Sequence, residues 1–136
     1  MFFEEIQEEE TYVASGEKII TGTEIDLVAQ MAGMDLPGFL DHKAAESWGF
    51  KDRVAPGAYV IACMFGLMAR QGFLSNAVWT KSTDLVFSAP VLPLDRLRAK
   101  AKVLAKKESR RGGGMVTYQW TVWNQREETV ATGTNL

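Results

Sequence analysis

The stretch AGMDLPGFLDH, Ala32 to His42, holds the side chains best suited by type to move protons. Asp35, Asp41 and His42 titrate, while Gly33, Pro37 and Gly38 have the backbone chemistry of a functional turn. A close Asp–His pair can serve as general acid and base near neutral pH. Yet Met34, Leu36 and Phe39, which have no proton to exchange, are interleaved with them. Asp35 and His42 are the candidate pair, and plainer roles compete for all three titratable residues. Asp35 suits a solvated turn, Asp41 a helix N-cap, and His42 the exposed first turn of that helix. Cys63 has no adjacent base to activate it, so it reads as a small packing residue rather than a nucleophile. With one cysteine and one histidine in the chain, an internal disulfide is excluded and a zinc site has too few ligands. Metal is therefore not expected.

Net charge is −2, which leaves no basic footprint for nucleic acid. The N-terminus carries five glutamates by residue 10 and no basic flank, unlike a secretory signal. The longest apolar stretch, Ala55 to Ala69, is shorter than the roughly 20 residues of a membrane span. A cytoplasmic protein is the expectation. At 136 residues the chain reads as one domain, 1–136, long enough to bury roughly two-thirds of its unfolded surface.

The elements that must position these residues follow from local patterns. TGTE, Thr21 to Glu24, is a capping box. Ile25, Val28, Ala29 and Ala32 continue at helical spacing, so a helix over Gly22–Ala32 delivers the chain into the loop. A short helix over His42–Trp48 follows, capped by Asp41. Pro56 fits the first turn of the next helix, GAYVIACMFGLMAR, which has no charge before Arg70. A helix apolar on all sides is expected to be buried on all sides. In a chain this small, only a curved sheet wrapped round it would suffice.

The C-terminal half supplies that sheet. Strand-like pieces lie at Val78–Thr80 and Asp84–Ser88. In RLRAKAKV, Leu97, Ala99, Ala101 and Val103 alternate with Arg96, Arg98, Lys100 and Lys102. MVTYQWTVW alternates again, TVATGT is a last short strand, and Lys106–Met115 reads as the turn between the two long strands. Alternation with short connections favours an antiparallel sheet, giving an α+β domain: a curved antiparallel sheet around a long central apolar helix. The Arg96–Lys102 stripe could meet phosphate oxygens, although a solvated sheet face explains it as well. Trp48, Trp79, Trp120 and Trp123 could line an acyl channel, although packing is the default role of aromatics.

Several stretches together resemble the MaoC-like dehydratase family, the (R)-specific enoyl-CoA hydratase type of hot-dog fold. They are IITGTEIDLVAQMAG, LPGFLDHKAAESWGFKDRVAPGAYV, LVFSAPVLPLDRLRAKAKV and VWNQREETVATG, and the likeness covers nearly the whole chain. In that family the loop reads Gly-Asp-x-Asn-Pro-x-His, with the Asp and His catalytic. Matching on Gly33 and Pro37 puts Met34 at the Asp, Leu36 at the Asn and Phe39 at the His. The Ala-His-Gly before the central helix is here Ala55-Pro56-Gly57, and the Pro-Gly-Asp turn is Pro93-Leu94-Asp95. The scaffold matches while the chemistry does not.

The resemblance implies a chain that binds acyl or enoyl thioesters of CoA or acyl-carrier protein, with no cofactor beyond that thioester. Gly57 would offer the oxyanion donor, and Met34, Leu36, Pro37, Phe39 and Pro56 would shape the pocket. It further implies side-by-side dimers whose sheets join, as a homodimer or as an unequal pair with a dyad-bearing subunit. Losing acid/base help costs about 100- to 10,000-fold per group, so the chain reads as a degenerate hydratase or a non-catalytic subunit. An active hydratase or dehydratase would need a loop shifted to recruit Asp35 and His42. Thioesterase chemistry is a weaker alternative, since its carboxylate would belong on or beside the central helix, where GAYVIACMFGLMAR has none.

Overall fold

The computed structural model describes residues Met1–Leu136. The Thr21 hydroxyl accepts from the Glu24 N–H while Glu24 reaches back to the Thr21 N–H, closing the capping box that starts α1 (Gly22–Met31). Gly33 ends it at φ 68°, a left-handed position that suits glycine. Two short helices follow, α2 (Pro37–Leu40) and α3 (His42–Ser47). Asp41 caps α3 by accepting from the Ala44 N–H at 3.0 Å. The central helix α4 runs Gly57–Gln71 and stops at Gly72, φ 110°. Pro56 stands one residue earlier than expected: it is the N-cap, not part of the first turn.

The sheet has six strands: β1 (Thr11–Val13), β2 (Lys18–Ile19), β3 (Ser82–Phe87), β4 (Arg96–Glu108), β5 (Gly114–Trp123) and β6 (Thr129–Asn135). Their order is β1-β4-β5-β6-β3, every pair antiparallel, with β2 continuing the β1 edge along β4. Alternation along β4 sends Leu97, Ala99, Ala101 and Val103 into the core, all four fully buried. The same alternation leaves Arg96, Lys100 and Lys102 in water. Arg98 and Lys100 lie over the Trp123 ring on this outer face, opposite the core.

One face of α4 packs on the sheet through Val60, Cys63, Met64, Leu67 and Met68. Burying each stabilises the fold by roughly 2 kcal/mol before entropy is counted. Burial on all sides is not observed. Ala58, Ala62 and Gly66 form an exposed stripe, because the sheet covers only the side of α4 that faces it. These residues are small, so little apolar surface meets water there.

The expected strand at Val78–Thr80 is absent as well. β6 is the only neighbour of β3 and runs out at Asn135, opposite Ser82. Before Ser82 the pairing continues only through Thr80 and Lys81, which bond Leu136, and Val78 is 84% exposed. β3 itself is bulged between Thr83 and Val86, with Asp84 at φ 54°.

Candidate active site

The N-terminus of α4 opens into a cavity of about 420 Å³. Ala55, Gly57 and Val60 form its helix side, Phe87 to Val91 the opposite wall, and Phe50, Val54 and Val130 the remainder. Two backbone bonds hold the walls together: Ala55 N–H donates to the Val91 carbonyl at 2.8 Å, and Ser88 N–H to the Val130 carbonyl at 2.8 Å. The Phe87 ring lies so close to Gly57 that a Cβ there would approach its tip to 2.7 Å, so a larger residue would have to displace the ring. The first carbonyl of the cap is taken by Tyr59 and Val60, while the Gly57 and Ala58 N–H groups donate to nothing within the chain. The positive end of the helix dipole and the free Gly57 donor therefore meet at one end of a largely apolar cavity. No ionisable side chain lines it, and its one hydroxyl is that of Ser88.

The titratable residues of the preceding loop lie elsewhere. Asp35 is exposed and its side chain forms no ion pair. His42 is exposed on α3, with Nδ1 2.9 Å from an Asp52 carboxylate oxygen and Nε2 2.7 Å from Glu46. The Asp52 hydrogen bond, then that of Glu46, raises its pKa above the ordinary histidine value. Its partners are Asp52 and Glu46, and Asp35 is not among them.

The loop's apolar residues act structurally. Phe39 packs against the core and meets Trp48 edge-on at 5.9 Å, with Gly38 buried directly beneath that indole. Met34 is half-buried, its N–H bonded to the Ala29 carbonyl at 2.7 Å, while Leu36 is 51% exposed as the N-cap of α2 and Pro37 opens that helix. None of Met34, Leu36, Pro37 and Phe39 lines the Gly57 cavity, and Pro56 is buried as the cap behind it. The loop supports the site from outside: Val54 N–H donates to the Gly38 carbonyl at 3.2 Å, and Arg53, ion-paired with Asp26, also donates to the Phe39 carbonyl.

A second polar cluster fixes the start of α4. Glu24 accepts from the Tyr59 hydroxyl at 2.7 Å, from the Thr21 hydroxyl at 2.9 Å and from Lys18. Burial opposes its charge, but these bonds outweigh burial and hold the carboxyl down to about 2. Burial and the Glu24 bond together raise the Tyr59 phenol. Cys63, one turn on, is pushed up to about 11 by burial, which keeps it a thiol. No three His, Cys, Asp or Glu side chains come together as a metal site would need.

The wall residues Phe87, Ser88 and Val91 fall within LVFSAPV, a stretch that carries the family likeness without itself marking a cavity. Phe50, Val54 and Val130 lie in two other such stretches, and only tertiary pairing brings them to Gly57.

An antiparallel sheet of six strands packed on one long helix is the layout of a hot-dog fold. The family model of the MaoC-like domain matches residues 9–124, and the chain belongs to this MaoC-like hydratase/dehydratase family of hot-dog proteins. Among curated proteins it is similar to the uncharacterized protein YdeM of Bacillus subtilis, 29% identical over 112 residues and 79% of each chain. Among solved structures it is similar to a monoamine oxidase regulatory protein from Archaeoglobus fulgius. That pair shares 29% identity with a TM-score of 0.85, over 99% of this chain and 91% of the other. It also shares its fold with a chain of the C-terminally truncated HadBC (3R-hydroxyacyl-ACP dehydratase) complex from Mycobacterium tuberculosis. There the identity is 22% and the TM-score 0.79, over 94% of this chain and 93% of that one. No helix is long and apolar enough to cross a membrane.

Proposed function

We propose that this chain is a MaoC-like hot-dog subunit that binds an acyl or enoyl thioester without itself supplying the acid and base of hydration. One observation carries the reading: the cavity sets the uncommitted Gly57 N–H, at a helix start, among largely apolar walls that hold no ionisable side chain. A thioester carbonyl placed there would accept from Gly57, and its acyl chain would meet Val60, Phe87 and Val91. Hydration further requires a base on water at Cβ and an acid at Cα. The family positions for these are Met34 and Phe39, and the nearby Asp35 and His42 are exposed and face other partners. In this reading a partner hot-dog subunit with an Asp–His pair provides them, in the cytoplasm, on CoA or carrier-protein thioesters of fatty acid metabolism.

The surface supports pairing. β3 is an edge strand whose Leu85, Val86 and Phe87 are 43%, 52% and 48% exposed, an unprotected apolar edge of the kind that another chain covers. That the HadBC structure is of a complex adds support for unequal pairing in this fold.

Two measurements test the reading. Calorimetric titration of the purified chain with crotonyl-CoA is expected to show saturable binding that Gly57→Val abolishes. Affinity capture from its source cells is expected to retain a dyad-bearing hot-dog subunit. A stable isolated homodimer with no affinity for such a subunit would overturn the pairing.

A further inference from the structure

Phe87, the last residue of β3, reaches across the Gly57 cavity to the start of α4. Its ring tip lies so near Gly57 that a methyl carbon built on that residue would stand 2.7, 3.0 and 3.1 Å from three ring atoms. Carbon atoms in contact rest about 3.5–4.0 Å apart, so this flank of Gly57 has no room for one methyl group. The Gly57 N–H, which has no acceptor in the chain, belongs to the same residue. An aromatic ring therefore walls one side of the free donor.

The backbone holds that ring in place. Phe87 pairs with Ala131 of β6, and the next residue, Ser88, donates its N–H to the Val130 carbonyl at 2.8 Å. Ala131 and Val130 are fully buried, so the end of β3 that carries the ring is anchored to the core. The bulge lies nearer the start of the strand, between Thr83 and Val86. Past the ring the cavity is bounded by Val60, Val91 and Val130, buried β-branched side chains that are stiff at χ1. A carbonyl oxygen about 2.9 Å from the Gly57 nitrogen puts C2 of its acyl group roughly 4–5 Å from that nitrogen, close to the ring tip. An unbranched C2 has only hydrogens to place there. A methyl branch adds a carbon on a flank that has no space for one.

We propose that Phe87 is a specificity-determining residue that restricts the Gly57 site to acyl groups unbranched at C2. The identity of the ligand rests on the thioester reading, whereas the screening of Gly57 by the ring does not.

Crotonyl-CoA and (E)-2-methylcrotonyl-CoA differ by that one methyl group, and calorimetric titration of both into the full chain and into Phe87→Ala is the test. The wild-type chain is expected to bind the branched ligand at least about tenfold more weakly. Phe87→Ala is expected to bring the two affinities within about threefold of each other. A merely structural role would lower both alike and leave their ratio unchanged. Phe87→Leu, which keeps an apolar but non-aromatic side chain, repeats the test should the alanine variant fail to fold. Equal affinity for the two ligands in the wild type, or a ratio unchanged in a folded variant, overturns the proposal.

Deuterium exchange of the Gly57 N–H, followed by NMR, needs no ligand. It is expected to be about tenfold slower in the wild type than in Phe87→Ala, because this amide has no internal acceptor and the ring shields it. Equal exchange in the two proteins overturns the screening. If crotonyl-CoA fails to bind while Gly57 is screened, the thioester reading falls and the acyl selectivity with it. If crotonyl-CoA binds and the branched ligand binds as tightly, the role of Phe87 falls alone.

Discussion

Replacing Glu24 by Gln should loosen the joint on which the candidate site rests. Glu24 ties the start of α1 to Tyr59, in the first turn of α4, and draws in Lys18 from β2. Its carboxyl, ordinarily near 4.5, is held to about 2. At about 1.4 kcal/mol per pH unit, that depression corresponds to roughly 3 kcal/mol as an upper bound. The side chain is 30% exposed, so water screens part of this. A net contribution of about 1.5–2 kcal/mol is the expected scale. Because the folded pKa lies below the unfolded one, this stability is complete above pH 4.5 and is lost as pH falls toward 2. Glutamine keeps the shape but neither accepts from Lys18 as an anion nor titrates. Urea unfolding of both proteins at pH 7, 4.5 and 3 measures the difference. The variant should be weaker by about 1.5–2 kcal/mol at pH 7. That gap should narrow steadily below pH 4.5, and Tyr59→Phe should remove part of it in a double-mutant cycle. A gap that stays constant with pH, or no gap at pH 7, would refute the reasoning.

Three further outcomes follow from single positions. Leu94 sits at φ 72° with 73% of its surface exposed, so Leu94→Gly should relieve backbone strain at little cost in burial and raise stability by about 0.5–1 kcal/mol, read as a higher melting temperature. Gly38→Ala would drive a Cβ to within 1.9 Å of the Trp48 ring, and should destabilise by about 2 kcal/mol or more in the same melt. Cys63, only 8% exposed and with its thiol pushed up to about 11, should resist iodoacetamide at pH 7.5 in the folded protein and react on unfolding; fast native labelling would contradict its role as packing.

What was legible in the sequence had local causes. The capping box set α1, Asp41 set α3, and the alternation of RLRAKAKV set β4 together with the face it buries. α2 was hidden because four residues are too few to show a helical period and Pro37 reads equally well as a turn. Charge-free composition on α4 overstated its burial: alanine and glycine tolerate water, and three of them take the uncovered side. β3 was misplaced by two residues at its start because a bulge at Asp84 breaks the period of two.

The candidate site divides in the same way. Gly57 at the head of the apolar helix is singled out only by the family resemblance, and in the structure it lines a cavity. Family position gives the apolar loop residues Met34 and Phe39 as tunnel or packing groups, and Phe39 packs against Trp48 and the core. The cavity walls come from β6, the end of β3 with the turn after it, and the connector before α4, segments that meet only once the sheet has paired.

The proposed function rests on a hot-dog scaffold that lacks proton-transfer groups of its own. The most direct measurement is hydration of short and long trans-2-enoyl-CoAs by the purified chain, followed as loss of the conjugated double bond. No turnover is expected across the panel while crotonyl-CoA still binds. Turnover that Asp35→Asn or His42→Ala abolishes would contradict it, and would place a working acid–base pair in the loop.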